Sequence, residues 1–170
     1  MQIDRKAEEA TRDMIAHAIR GELNQLADVI EAVGEDRFRE CVELCVRISG
    51  YIAVDVCRST WPSEGAIQHI AENVSRADLA APVDAGGLQA YLSKTVLGFR
   101  ALDGVFADPG EAGSSPVLMT AAMLLVFCPR DKDQWSYLDE IEHALEAAEG
   151  IPEPVLPAAV LRAYRIRGSK

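Results

Sequence analysis

The chain has 170 residues and a formal net charge of −10, with 49% apolar, 26% charged and only 6% aromatic residues. A chain of this size buries about 70% of its unfolded surface, so one domain with a sizeable core is expected, and the mix excludes a disordered or collagen-like chain. The acidic balance argues against binding to a nucleic-acid backbone or an anionic membrane, and the sequence holds no run of about 20 apolar residues to span a bilayer.

The first stretch, MQIDRKAEEATRD, is charged and has no apolar signal region, so a cytoplasmic location and reduced thiols are expected. Arginine outnumbers lysine and alanine is abundant, a bias of the kind GC-rich bacterial genomes produce. Between residues 5 and 33, Ile15, Ile19, Leu23, Leu26, Val29, Ile30 and Val33 recur at spacings of three and four. On a helical wheel they fill an arc of about 120°, which predicts one amphipathic helix stopping at Gly34. His17 projects opposite that stripe and is expected in solvent.

Residues 35–59 predict a second helix, with Asp36 as a candidate cap. Its apolar arc is far wider, about 220° on the same wheel. A helix so apolar needs several neighbours, which predicts a central position. Trp61-Pro62-Ser63 breaks the chain. A third helix follows over about 63–77, carrying Ile67, Ile70 and Val74. The linker LAAPVDAGG ends near Asp84, a candidate cap for a fourth helix over about 85–103, with Leu88, Leu92, Val96, Phe99 and Leu102 on one side.

DGVFADPGEAGSSP reads as the longest loop. Ser115 and Pro116 then open a fifth helix, 116–128, apolar on every side except for Thr120. At about 20 Å it is too short to cross a bilayer. It is therefore expected to be a buried core helix or one face of an oligomer. Asp131 or Asp133 opens a sixth helix, with Trp135, Leu138, Ile141 and Leu145 inward and Asp139, Glu140, Glu142, Glu146 and Glu149 outward as a solvated acidic face; Gly150 ends it. Pro157 starts a short last helix with Val160, Leu161 and Tyr164.

No Asp or Glu follows Pro157, whereas Arg162, Arg165, Arg167 and Lys170 do. The chain thus divides into an acidic helical domain, residues 1–157, and a short C-terminal helix with a basic tail, residues 158–170, packed on or trailing from that domain. The predicted class is all-α: a single-domain irregular bundle of about six to seven helices, with 35–59 and 116–128 central.

The candidate sites lie mostly in RECVELCVRISGYIAVDVCRSTW, residues 39–61. Cys41 and Cys45 share a face with Ile48 and Ile52, in the middle of the apolar arc. Cys57 falls on another side and about 18 Å along the axis from Cys45, so a straight helix cannot gather the three on one metal. Cys41 and Cys45 are expected to pack as small hydrophobes. Cys57 is the candidate reactive thiol, and no metal site is expected.

Asp55 is the larger oddity, because it falls inside the apolar arc. A carboxylate there must be paired, hydrogen-bonded or shifted in pKa. With Arg58, Trp61 and Tyr51 it forms the candidate polar site. The structural alternatives are a place beyond the buried stretch, an ion pair with Arg58 at i+3, or a cap on another helix. His69 flanks its helix's apolar stripe as a half-buried base or a structural residue.

The usual chemical signatures are missing. DAGGLQ lacks the Lys-Ser/Thr of a phosphate loop, and neither a nucleophile elbow nor an H-E-x-x-H helix occurs. DKDQWSYLDEIE lacks the spacing of a calcium loop. No helix has the basic side chains of a recognition helix. The expectation is a non-enzymatic helical protein-interaction or regulatory protein, without a cofactor, whose partner is another protein or a second copy. A small apolar ligand held among Met119, Met123, Phe127, Phe99 and Trp135 is the alternative, with Asp55 and Tyr51 as polar contacts. An enzyme using Asp55, His69 or Cys57 stands third.

Overall fold

Gly21 breaks the long apolar stripe between residues 5 and 33 into two helices. In the computed structural model, which describes residues 4–58, 61–97 and 115–147, α1 (Arg5–Arg20) ends where Gly21 adopts a left-handed φ of 70°. The Gly21 N–H donates to Ala18 O at 3.1 Å and the Glu22 N–H to His17 O at 2.9 Å, closing the last turn. α2 (Leu23–Val33) then leaves in a new direction. The turn is also a close approach: a Cβ at Gly21 would sit 3.0 Å from both Cβ and O of Ala80. Gly21→Ala is therefore expected to cost about 1–2 kcal/mol, from the left-handed backbone and the contact together. Urea unfolding checks this, and an unchanged midpoint would contradict it.

The remaining helices are α3 (Glu35–Val56), α4 (Glu64–Ser75), α5 (Ala85–Leu92), α6 (Ser115–Phe127) and α7 (Gln134–Ala147), with a π-helical turn, Ser93–Leu97, extending α5. The described residues form no strand, and the fold is the all-α single-domain bundle that the periodicity predicts. Side-chain caps open three of these helices, and the sequence predicts those at Asp84 and Asp133. Ser63 Oγ accepts from the Ala66 N–H, Asp84 from the Gly87 N–H, and Asp133 rather than Asp131 accepts from the Trp135 and Ser136 N–H groups. Those donors hold the Asp133 carboxyl below its ordinary pKa. Before α3 the cap position is Gly34, and Asp36 lies in the first turn.

α3 and α6 are central, as their apolar arcs require. α3 packs against α1, α2, α6 and α7, and α6 against α1, α3, α4 and α7. Cys41, Cys45, Ile48, Tyr51 and Ile52 of α3 are fully buried, together with Val117 and Met123 of α6. The apolar surface of α6 is thus covered largely within one chain. Thr120, its one polar residue after the first position, is buried and ends a chain of hydroxyls. Tyr91 Oη donates to Ser49 Oγ (3.3 Å), Ser49 lies 2.8 Å from Thr120 Oγ1, and Thr120 donates to the carbonyls of Pro116 (2.8 Å) and Cys45 (3.1 Å). Every buried hydroxyl in that chain finds a partner, which is the condition for keeping it in an apolar core.

Helix 85–103 of the sequence reading is shorter as an α-helix: it passes into the π turn after Leu92. Phe99, Leu102, the loop expected around residues 104–114, the Gly150 stop and the predicted C-terminal helix lie outside the described residues. No helix among the described residues is long and apolar enough to cross a membrane.

Candidate functional site

Asp55 stands one residue before the end of α3, and its position inside the apolar arc is explained by α7. Tyr137 of α7 is fully buried, and its hydroxyl donates to Asp55 Oδ2 at 2.7 Å. A hydrogen bond between helices thus supplies the polar partner that a part-buried carboxylate needs. Arg58 is exposed and left-handed at φ 53°; its backbone N–H donates to the Asp55 carbonyl at 3.0 Å, and among the described residues no ion pair joins the two side chains. Tyr51, one turn before Asp55, is fully buried. Trp61 is partly buried against the core. The structure therefore joins Asp55 to Tyr137, places Tyr51 in the core and leaves Arg58 in solvent.

The cysteines do not have the surroundings of activated thiols. Burial pushes Cys57 above its ordinary pKa, and does the same for Cys41 and Cys128. Cys45 is pushed up to about 12. The thiolate is the nucleophilic form, so each shift is opposite in sign to activation. His69 is exposed on α4, and His143 on α7. Of the suggested apolar lining, Met123 is fully buried, while Met119, Phe127 and Trp135 pack partly buried against the core.

Two sequence expectations about charge are overturned. His17 is not in open solvent: it is half-buried at the end of α1, with Nδ1 2.7 Å from Glu22 Oε2 and Nε2 3.6 Å from Asp13 Oδ1. Hydrogen bonds from Arg20 and His17 hold the Glu22 carboxyl below its ordinary value. The second correction is larger. Glu142, assigned to a solvated acidic face, is only 4% exposed. It faces Arg12 of α1, whose Nη2 donates to Glu142 Oε2 and, at 2.6 Å, to Asp139 Oδ1. Arg12 Nε lies 3.5 Å from Glu8 Oε1, so three carboxylates surround one guanidinium.

The ion cluster is incompletely satisfied. Among the described residues, Glu142 Oε1 and Arg12 Nε are buried without a hydrogen-bond partner. Desolvation pushes the Glu142 carboxyl up to about 7, against the pull of Arg12 and with the help of Glu8 and Asp139. Burial opposes the Arg12 charge, but its hydrogen bonds to Glu142 and Asp139 prevail and raise its pKa. Periodicity carried a signal for this pair. Glu142 is four residues after Leu138 and so shares its inward face, and Arg12 stands three residues before Ile15. Among the described residues, no group of three or more His, Cys, Asp or Glu side chains is placed to hold a metal ion.

No family model, curated protein or solved structure matches this chain. Its function has to be read from its own surfaces and polar groups.

Proposed function

We propose that this protein is a non-enzymatic interaction module that presents α2 to a basic, amphipathic helical segment of a partner protein. The observation that carries the reading is the state of α2. Only Leu26 of this helix is buried; Leu23 is 51% exposed, and Val29, Ile30 and Val33 are covered only in part. Glu22, Asp28 and Glu31 lie on or next to this helix, Glu35 and Asp36 open α3 just after it, and no Lys or Arg occurs from residue 21 to residue 36. A second copy of α2 would bring like charges together. A helix with one apolar and one basic side would meet both the exposed leucine and the acidic border.

The same reasoning shifts the proposed interface away from residues 116–128, since α6 spends its apolar surface inside the chain. Catalysis by Asp55, Cys57 or His69 has less support: Tyr137 engages the carboxylate, and burial disfavours the thiolate.

The test uses the full chain and a labelled cationic amphipathic helix built from leucine and lysine, followed by fluorescence anisotropy. Binding is expected to weaken with salt. Leu23→Ser should weaken it about tenfold, the equivalent of burying much of one leucine side chain. The same variant should leave folding stability within about 0.5 kcal/mol, because Leu23 is exposed already. Equal binding by the variant, or by a scrambled peptide, would overturn the reading. A dimer in light scattering that Leu23→Ser dissolves would instead assign the surface to a second copy.

A further inference from the structure

We propose that Glu142 is a proton-binding site whose occupancy sets how firmly α7 is held to α1. The geometry isolates one place for the proton. Glu142 Oε2 is taken by Arg12, whereas Oε1 is buried and has no partner among the described residues. A proton on Oε1 removes a negative charge that the protein has left unsolvated, and Oε2 still accepts from Arg12. It also reduces the negative charges around that guanidinium from three to two. Arg12 then keeps Asp139 at 2.6 Å and Glu8 at 3.5 Å as ionised partners.

Among the described residues, the groups that face Glu142 are few. Glu8 and Arg12 face it from α1, and Asp139 from its own helix. α6 has no ionisable side chain to present. From α3, Asp55 meets α7 at Tyr137. His143, next in sequence, is exposed. Ionised Glu142 can gain hydration for Oε1 only if α7 yields against α1, so the charged form favours a looser joint and the neutral form a tighter one.

The sign follows from linkage. The carboxyl is raised from 4.5 to about 7 in the folded protein. Its contribution to stability is therefore complete below the unfolded value and is lost as pH rises through the folded one. The active window runs from weakly acidic to neutral pH.

The test compares the full wild-type chain with Glu142→Gln, a mimic of the protonated acid. A carbon-detected NMR titration of the Glu142 carboxyl is expected to show a midpoint within about one unit of 7. Amide-exchange protection across Ile141–Leu145, corrected for intrinsic rates, should fall about tenfold between about pH 5.5 and pH 8 in the wild type and stay level in the variant. A midpoint below about 5.5, or the same protection profile in both proteins, would overturn the proposal. Should Glu142→Gln not fold, Asp139→Asn serves: removing that exposed like charge should lower the Glu142 midpoint, and an unmoved midpoint would also overturn the proposal.

Discussion

Tyr51→Ala is expected to lower the unfolding free energy by about 3–5 kcal/mol, a large share of the roughly 5–15 kcal/mol that holds a domain together. The ring is fully buried in α3, the helix with most neighbours, one turn after Ile48 and next in sequence to Ile52. Helices α1, α2, α6 and α7 meet this helix from different directions, so no single one can move in to fill the space the ring leaves. Chemical denaturation monitored by circular dichroism reads the loss. A cost below about 1 kcal/mol would mean that the site collapses freely, and would contradict a ring hemmed in by several helices.

Arg12→Ala is expected to cost about 2–3 kcal/mol at pH 8, less than the largest losses seen on breaking buried pairs because Arg12 is 29% exposed. The cost should depend on pH in a particular direction. At pH 8 the variant must either keep an unpaired carboxylate buried at Glu142 or hold a proton against the solvent. Near pH 5.5 Glu142 is largely protonated in the wild type, so no buried charge is stranded; the hydrogen bonds and the solvent-screened pairs with Asp139 and Glu8 are lost, and the cost should drop to about 1 kcal/mol. Removing Arg12 also lets the Glu142 carboxyl rise further, because its main attracting charge is gone. Denaturation midpoints of both proteins across this range give the result. A cost that is equal at the two pH values would show that Arg12 acts only through packing of its aliphatic stem.

The two buried helices were legible in the sequence because the width of an apolar arc measures how many neighbours a helix must touch. The arc of residues 35–59 and the wholly apolar run after Pro116 both led to central positions. The break at Gly21 was not legible. A glycine inside a 3.6-residue pattern costs a helix only about 1 kcal/mol, so periodicity continued across it. The break is made by the left-handed Gly21, and the close approach of Ala80, distant in sequence, leaves no room there for a side chain; no wheel displays either.

The polar groups divide in the same way. That Asp55 lies among apolar neighbours could be read from its angle on the helix. That its partner is Tyr137, 82 positions further on, could not. Glu142 was misplaced for a different reason. Its charge argues for solvent, whereas its spacing from Leu138 points inward, and burial follows the spacing. A charged residue on an apolar stripe asks for an opposite charge elsewhere, and Arg12 beside Ile15 was the available answer.

The hydroxyl chain from Tyr91 through Ser49 to Thr120 has a consequence for α6. A rod that is equally greasy all round has no preferred rotation about its axis, since dispersion and burial reward every angle alike. One buried hydroxyl ends that indifference, because few rotations and axial positions let Thr120 meet both Ser49 and the Cys45 carbonyl of α3. Thr120 works as an index pin. It turns a helix that could settle in many orientations against α3 into one that is held to few.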